Sequence, residues 1–158
     1  AGLLRALGVA RDLGGDLGGA LDAFAEAQGL ASQAGRLDGP LGAGLLLDIG
    51  AARARAKDHR GAWKALTESY RIFKSSGTLG CLDGCRVLAS LAETQQALGD
   101  VPRAVKFYAE ARRHRERAGS LETPDGARLL LATGDAYMAG SAPKDAAEAY
   151  QEALRVHR

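Results

Sequence analysis

At 158 residues and a formal net charge of +2, the chain has the length of one ordinary domain and lacks the basic excess of a nucleic-acid-binding protein. Hydrophobic residues make up 46% and charged residues 25%, and no run approaches the ~20 apolar residues of a membrane span. Aromatics are only 5%, so the core has to be built from Leu and Ala. Cys81 and Cys85 are too few for a disulfide framework and have no further zinc ligands at suitable spacing, which reads as a reduced pair in an intracellular, cytoplasmic chain.

The chain opens on an amphipathic pattern, with Leu3, Leu4, Leu7 and Ala10 at helical spacing. Asp16 then precedes a second helix carrying Ala20, Ala23, Phe24 and Ala27, where its carboxylate can accept from the free N–H groups of the first turn. Gly35 stops that helix, and Pro40 opens the next one, as Pro does at a first helical position. From there the sequence repeats every 42 residues without a gap. Leu45, Leu46, Ile49 and Ala52 repeat the first helix, Asp58 the cap, Ala62 and Leu66 the second helix, and Gly77 the stop. Val87, Leu88 and Leu91, then Asp100, Ala104, Tyr108 and Gly119, form the third copy. Thr123 and Pro124 start the fourth, with Leu129, Leu130 and Ala136, and there Ser141 is the expected cap in place of Asp. Gly8, Gly50, Ala92 and Gly134 share one position mid-way along the first helix of each unit, where a small residue lets two helices approach closely and a larger one on the second helix fills the space beyond.

A fixed period of this size predicts an all-α solenoid of four helix-turn-helix repeats, with units 1–42, 43–84, 85–126 and 127–158 in a single array. The chain reads as a segment of a larger protein.

The residues of the units resemble tetratricopeptide repeats. Unit one supplies Leu4, Leu7-Gly8, Ala20, Phe24 and Ala27, and unit four supplies Leu130, Gly134, Tyr137, Ala146, Tyr150 and Ala153. The usual period is 34, and the longer form is similar to the repeats of kinesin light chains and of GoLoco-containing spindle-orientation scaffolds. The aromatic expected on the first helix is replaced by Arg11, Arg53 and Gln95 and kept only as Tyr137. The resemblance implies a right-handed superhelix whose first helices line a groove for an extended peptide or partner helix. The chain contains no Asn, so the basic-plus-Asn set of the family's carboxylate-clamp members is absent.

Residues on the outward face of each first helix are the candidates for such a groove. They are Arg5, Val9 and Asp12 in unit one and Leu47, Ala51 and Arg55 in unit two. Arg86, Glu93 and Gln96 follow in unit three, and Arg128, Leu131, Asp135 and Met138 in unit four. Arg at the corners with aliphatic residues between suits an acidic-hydrophobic peptide or an amphipathic helix. The run ARRHRERAG, with Arg112, Arg113, Arg115 and Arg117, has interspersed Glu and no aromatic ladder for bases, and reads as a solvated face. His59, His114 and His157 share no metal-ligand spacing, and the glycine-rich stretches fall on repeat turns without the Lys-Ser/Thr ending of a phosphate loop. With no catalytic constellation, metal or cofactor motif, the expectation is a non-catalytic protein-interaction scaffold, free of nucleic acid and membrane. The alternative is a helical sensor or regulatory segment of a larger signalling or transcription-regulating protein. Unmatched apolar faces on the terminal units further predict weak end-to-end self-association.

Overall fold

The computed structural model describes residues 1–156. The described residues form helices α1 (Gly2–Leu13), α2 (Leu17–Gln33), α3 (Pro40–Arg55), α4 (His59–Ser75), α5 (Leu82–Ala97), α6 (Val101–Arg117), α7 (Pro124–Ala139) and α8 (Pro143–Val156), with no strand among them. They fall into two compact units, one spanning Ala1–Thr78 and one beginning at Leu79. In the first, hairpins α1–α2 and α3–α4 pack through α3 on α2 and α1. In the second, hairpins α5–α6 and α7–α8 pack through α7 on α6 and α5.

One backbone device ends every helix from α1 to α7. The residue after the C-cap takes a left-handed conformation and donates to the carbonyl three residues back, and the next N–H donates to the carbonyl five back, the two bonds of a Schellman motif. Glycine serves this position at Gly15, Gly35, Gly77, Gly99 and Gly119, but Lys57 (φ 65°) and Ser141 (φ 58°) hold it without that freedom. In three of the four hairpins the residue after it is the Asp that caps the second helix. The carboxylates of Asp16, Asp58 and Asp100 accept from the backbone N–H of Gly19, Gly61 and Arg103 at 2.9, 2.9 and 3.1 Å. In the fourth hairpin the expected cap fails. Ser141 is used up as the left-handed residue, and Ala142 stands at the start of α8, its carbonyl accepting from Ala146.

The first helices start as their sequence predicts. Pro40 and Pro124 occupy the first turns of α3 and α7, and Thr123 Oγ1 accepts from Gly126 N at 3.2 Å. Cys81 takes the same capping position on α5, its sulfur accepting from Gly84 N at 3.3 Å, while Cys85 is buried one turn on. His59 stands in the first turn of α4, and His157 lies outside the described residues.

Within each hairpin the small residue of the first helix faces the large one of the second. A Cβ at Gly8 would run into the Phe24 ring, one at Gly50 into Leu66, and one at Gly134 into the Tyr150 ring. Phe24, Leu66 and Tyr108 are accordingly at most 1% exposed. A second glycine series recurs at Gly42, Gly84 and Gly126, where a Cβ would collide with the backbone of Leu37, Leu79 and Leu121 in the preceding loop. These three glycines fix how tightly each loop folds onto the start of its helix.

Candidate functional site

In the first unit the seam between α1 and α3 is closed by two ion pairs. Arg5 Nε donates to Asp48 Oδ2 at 2.6 Å, and Arg55 Nη2 donates to Asp12 Oδ2. The Arg5 guanidinium lies where a side chain on Gly44 would be, so that glycine is what lets it reach Asp48. Arg5 is thus satisfied by Asp48, and Arg55 and Asp12 satisfy each other. Leu47 is a correction to the predicted groove: it is 1% exposed and belongs to the core, because α3 is buried along most of its length. Val9 and Ala51 are half-buried. Arg11 and Arg53, standing where the repeat pattern expects an aromatic, donate to the carbonyls of Gly19 and Gly61 at 3.1 and 3.4 Å and so brace the hairpin turn.

The second unit has the same helices without those pairs. The positions of Arg5 and Asp48 are taken by Ala89 and Ala132, and those of Asp12 and Arg55 by Gln96 and Ala139. The seam between α5 and α7 is left open as a cleft of about 420 Å³ floored by α6. Leu82, Ala89, Leu129 and Ala132 give it apolar walls, and Arg86, Glu93 and Arg128 reach into it. Three of the predicted groove residues are therefore brought together. Arg86 donates to Asp83 at 3.0 Å and Arg128 to Asp125, each one turn away on its own helix.

The cleft also holds a group that the sequence pattern had placed elsewhere. Arg115, within the run expected to be a solvated face, is 6% exposed and lines the cleft floor. Its counterparts one and two periods earlier are Phe73 and Ala31, both buried. A guanidinium has replaced an apolar core residue, and among the described residues no carboxylate forms an ion pair with it. Aligning the copies at this one position is the signal that would have found it. Its neighbours in the run behave differently: Arg112 pairs with Glu116 at 2.8 Å and Glu152 at 2.9 Å, and Arg113 and Arg117 are exposed.

The charges around the cleft separate along it. Asp125 is held below the usual carboxylate range first by the Arg128 hydrogen bond and further by the charges of Arg115 and Arg86, which gathers the three guanidinium groups around one end. At the other end, burial pushes the Tyr108 phenol well up, and the charges of Glu93 and Asp135 add to it. Glu93 keeps an exposed edge, yet the cleft walls strip water from its carboxyl and raise its pKa. Asp135 accepts from the Tyr150 hydroxyl at 2.6 Å. The remaining predicted residues lie apart. Leu131 joins Leu154 and Pro124 in an apolar hollow of about 320 Å³ on α7 and α8, Met138 is exposed, and Gln96 is half-buried. A larger hollow of about 840 Å³ between α6, α7 and α8 includes Arg112 and Glu152, which neutralise each other. That pairing makes the α5–α7 cleft, with its unpaired Arg115, the better candidate.

No protein-family model matches the chain, and no curated protein sequence matches it either. Solved structures do. BtubC (BKLC) from P. vanneervenii superposes with a TM-score of 0.91 at 17% identity, over 99% of this chain and 62% of that one. This chain thus spans less than two thirds of that protein's length. A variant of the nearly identical TPR-like repeats of a Podosopora anserina kinesin-light-chain-like protein gives 0.82 at 16% identity, over 97% and 72% of the two chains. The TPR domain of Arabidopsis FLU gives 0.63 at 14% identity, over 70% and 89%. At these identities the likeness is one of fold, and the chain is an all-α protein with the fold of TPR-like helix-hairpin repeats.

Proposed function

We propose that the chain is a non-catalytic protein-interaction module that seats a peptide or helix of a partner protein between α5 and α7. The supporting observation is the open α5–α7 cleft, where apolar walls and arginines converge, against the closed α1–α3 seam in the other unit. Its volume of about 420 Å³ is within the range of ligand sites, and the mix of apolar lining with a few placed polar groups is how such sites combine affinity with orientation. The ligand is an acidic-hydrophobic segment held by burial of its apolar residues and by arginine–carboxylate pairing.

The test is a peptide array with randomised acidic and apolar positions, probed with the wild-type chain and with an Arg86→Glu/Arg128→Glu variant. Charge reversal is expected to weaken acidic ligands roughly tenfold or more, about 1.4 kcal/mol. Unchanged binding would remove the arginines from the site.

The end-to-end contact belongs to the same reading. Leu3 and Leu7 of α1 are 89% and 42% exposed, whereas their counterparts Leu45 and Ile49 are 1% and 4% exposed. The hollow at Leu131 and Leu154 offers an apolar surface to which this face of a second copy can dock weakly. Light scattering at rising concentration is expected to show association that Leu3→Lys abolishes, and a constant monomer mass would contradict it.

A further inference from the structure

The α5–α7 cleft has a pattern that simple attraction of acids does not explain. Arg86 and Glu93 stand seven residues apart on α5, and Arg128 and Asp135 stand at the same two repeat positions on α7. Seven residues are two turns, about 10 Å along a helix. Each helix therefore carries a cation near its first turns and an anion two turns later, Glu93 lining the cleft and Asp135 lying outside its lining, where it accepts from Tyr150. The corresponding residues of α1 and α3 are Gly2 and Gly44, then Val9 and Ala51, so the pattern is confined to the second unit.

Arg115 sharpens the cationic end. Long charged side chains are seldom fully buried without a partner, because the lost hydration has to be replaced. Here the residue as a whole is 6% exposed, lines the cleft, and stands where the two preceding copies bury Phe73 and Ala31. Arg86 and Arg128 form ion pairs with Asp83 and Asp125, which leaves Arg115 as the cation of the three that makes no direct ion pair among the described residues.

We propose that the cleft reads a segment carrying both charges, with a carboxylate docked on Arg115 and, about three residues along a polyproline II chain, a basic side chain docked on Glu93 beside Asp135. The spacing follows from the ~10 Å between the poles and the roughly 3.1 Å rise of a polyproline II residue, every third of which falls on the same face. The Tyr108 side chain, at most 1% exposed, forms the apolar floor between them. This rests on the reading of the cleft as a peptide site and adds what the peptide must carry.

The experiment uses two labelled peptides of equal length with apolar flanks, one containing Glu-Ala-Ala-Lys and one Glu-Ala-Ala-Glu, titrated by fluorescence anisotropy. The wild-type chain is expected to bind the Glu-Lys peptide at least tenfold tighter, and a Glu93→Lys/Asp135→Lys variant to reverse the order. Arg115→Phe, which installs the residue of the preceding repeat, is expected to lose at least tenfold for both peptides while melting no lower than wild type. Equal affinity for the two peptides, or no reversal in the double variant, overturns the two-pole arrangement while leaving peptide binding intact. Failure of both peptides to bind at about 1 mM defeats the peptide-site reading itself. A marked fall in the melting temperature of Arg115→Phe shows the arginine to be structural and overturns its role as the anchor.

Discussion

Arg5 and Asp48 meet at 2.6 Å across 43 residues of sequence, one more than the repeat period, and so tie α1 to the next copy of itself. Arg55 and Asp12 form a second rung with the charges reversed. The Asp48 side chain is only 9% exposed, so removing its partner leaves a largely buried carboxylate without compensation. Arg5→Ala is expected to destabilise the fold by about 1–3 kcal/mol. The double variant Arg5→Ala/Asp48→Ala, which installs the residues found at Ala89 and Ala132, is expected to recover most of that loss. Urea unfolding of the three proteins checks this, and equal stability of the single and double variants would show that Asp48 carries no penalty once its partner is gone.

Lys57 holds the left-handed position at φ 65° that glycine fills in five other helix ends. A side chain there is strained whatever it touches, by about 1 kcal/mol. Lys57→Gly is therefore expected to raise the melting temperature by about 2–4 °C, and Ser141→Gly to act in the same direction. Thermal unfolding followed by circular dichroism reads the shift, and a fall would mean that the lysine makes a contact worth more than the strain.

Two glycine substitutions should have opposite signs. Gly29 lies inside α2 with nothing within 4 Å of an added Cβ, and Gly29→Ala is expected to stabilise by up to about 1 kcal/mol through helix propensity. Gly84 also lies in a helix, but its added Cβ would strike the backbone of Leu79, which cannot rotate away. Gly84→Ala is expected to cost about 1–3 kcal/mol despite the better propensity of alanine. Denaturant midpoints measured side by side separate the two outcomes.

The Glu93 carboxyl has its pKa raised by burial above the ordinary 4.5. Because the raised value belongs to the folded state, the contribution of this group favours folding when it is protonated. It is fully present at pH below 4.5 and is lost as pH rises through the folded pKa. Glu93→Gln, which stays neutral, is expected to match wild type at pH 4 and to melt higher at pH 8. Parallel profiles across that range would show that Glu93 is as well hydrated in the fold as in the unfolded chain.

The sequence by itself determined the repeat, the eight helical segments and most of their ends. Left-handed glycines, Asp caps at Asp16, Asp58 and Asp100, and first-turn prolines all act within about five residues of chain, so their pattern carries their geometry. The match of Gly8 to Phe24 and of Gly134 to Tyr150 was legible for a related reason, since a hairpin brings together residues a fixed distance apart in the chain. Arg86, Glu93 and Arg128 could be picked out as a candidate face because copies that disagree are free of that structural duty. Only the tertiary structure decided which faces stayed open. Leu47 is buried and Arg5 is consumed by Asp48, while the same two register positions hold Ala89 and Ala132 and leave a cleft. Arg115 reads as one more surface arginine in a charged run until α5, α6 and α7 are assembled around it. Burial and pairing of long charged side chains depend on which helices pack over them, and that contact is set by residues one period away rather than by neighbours in the chain.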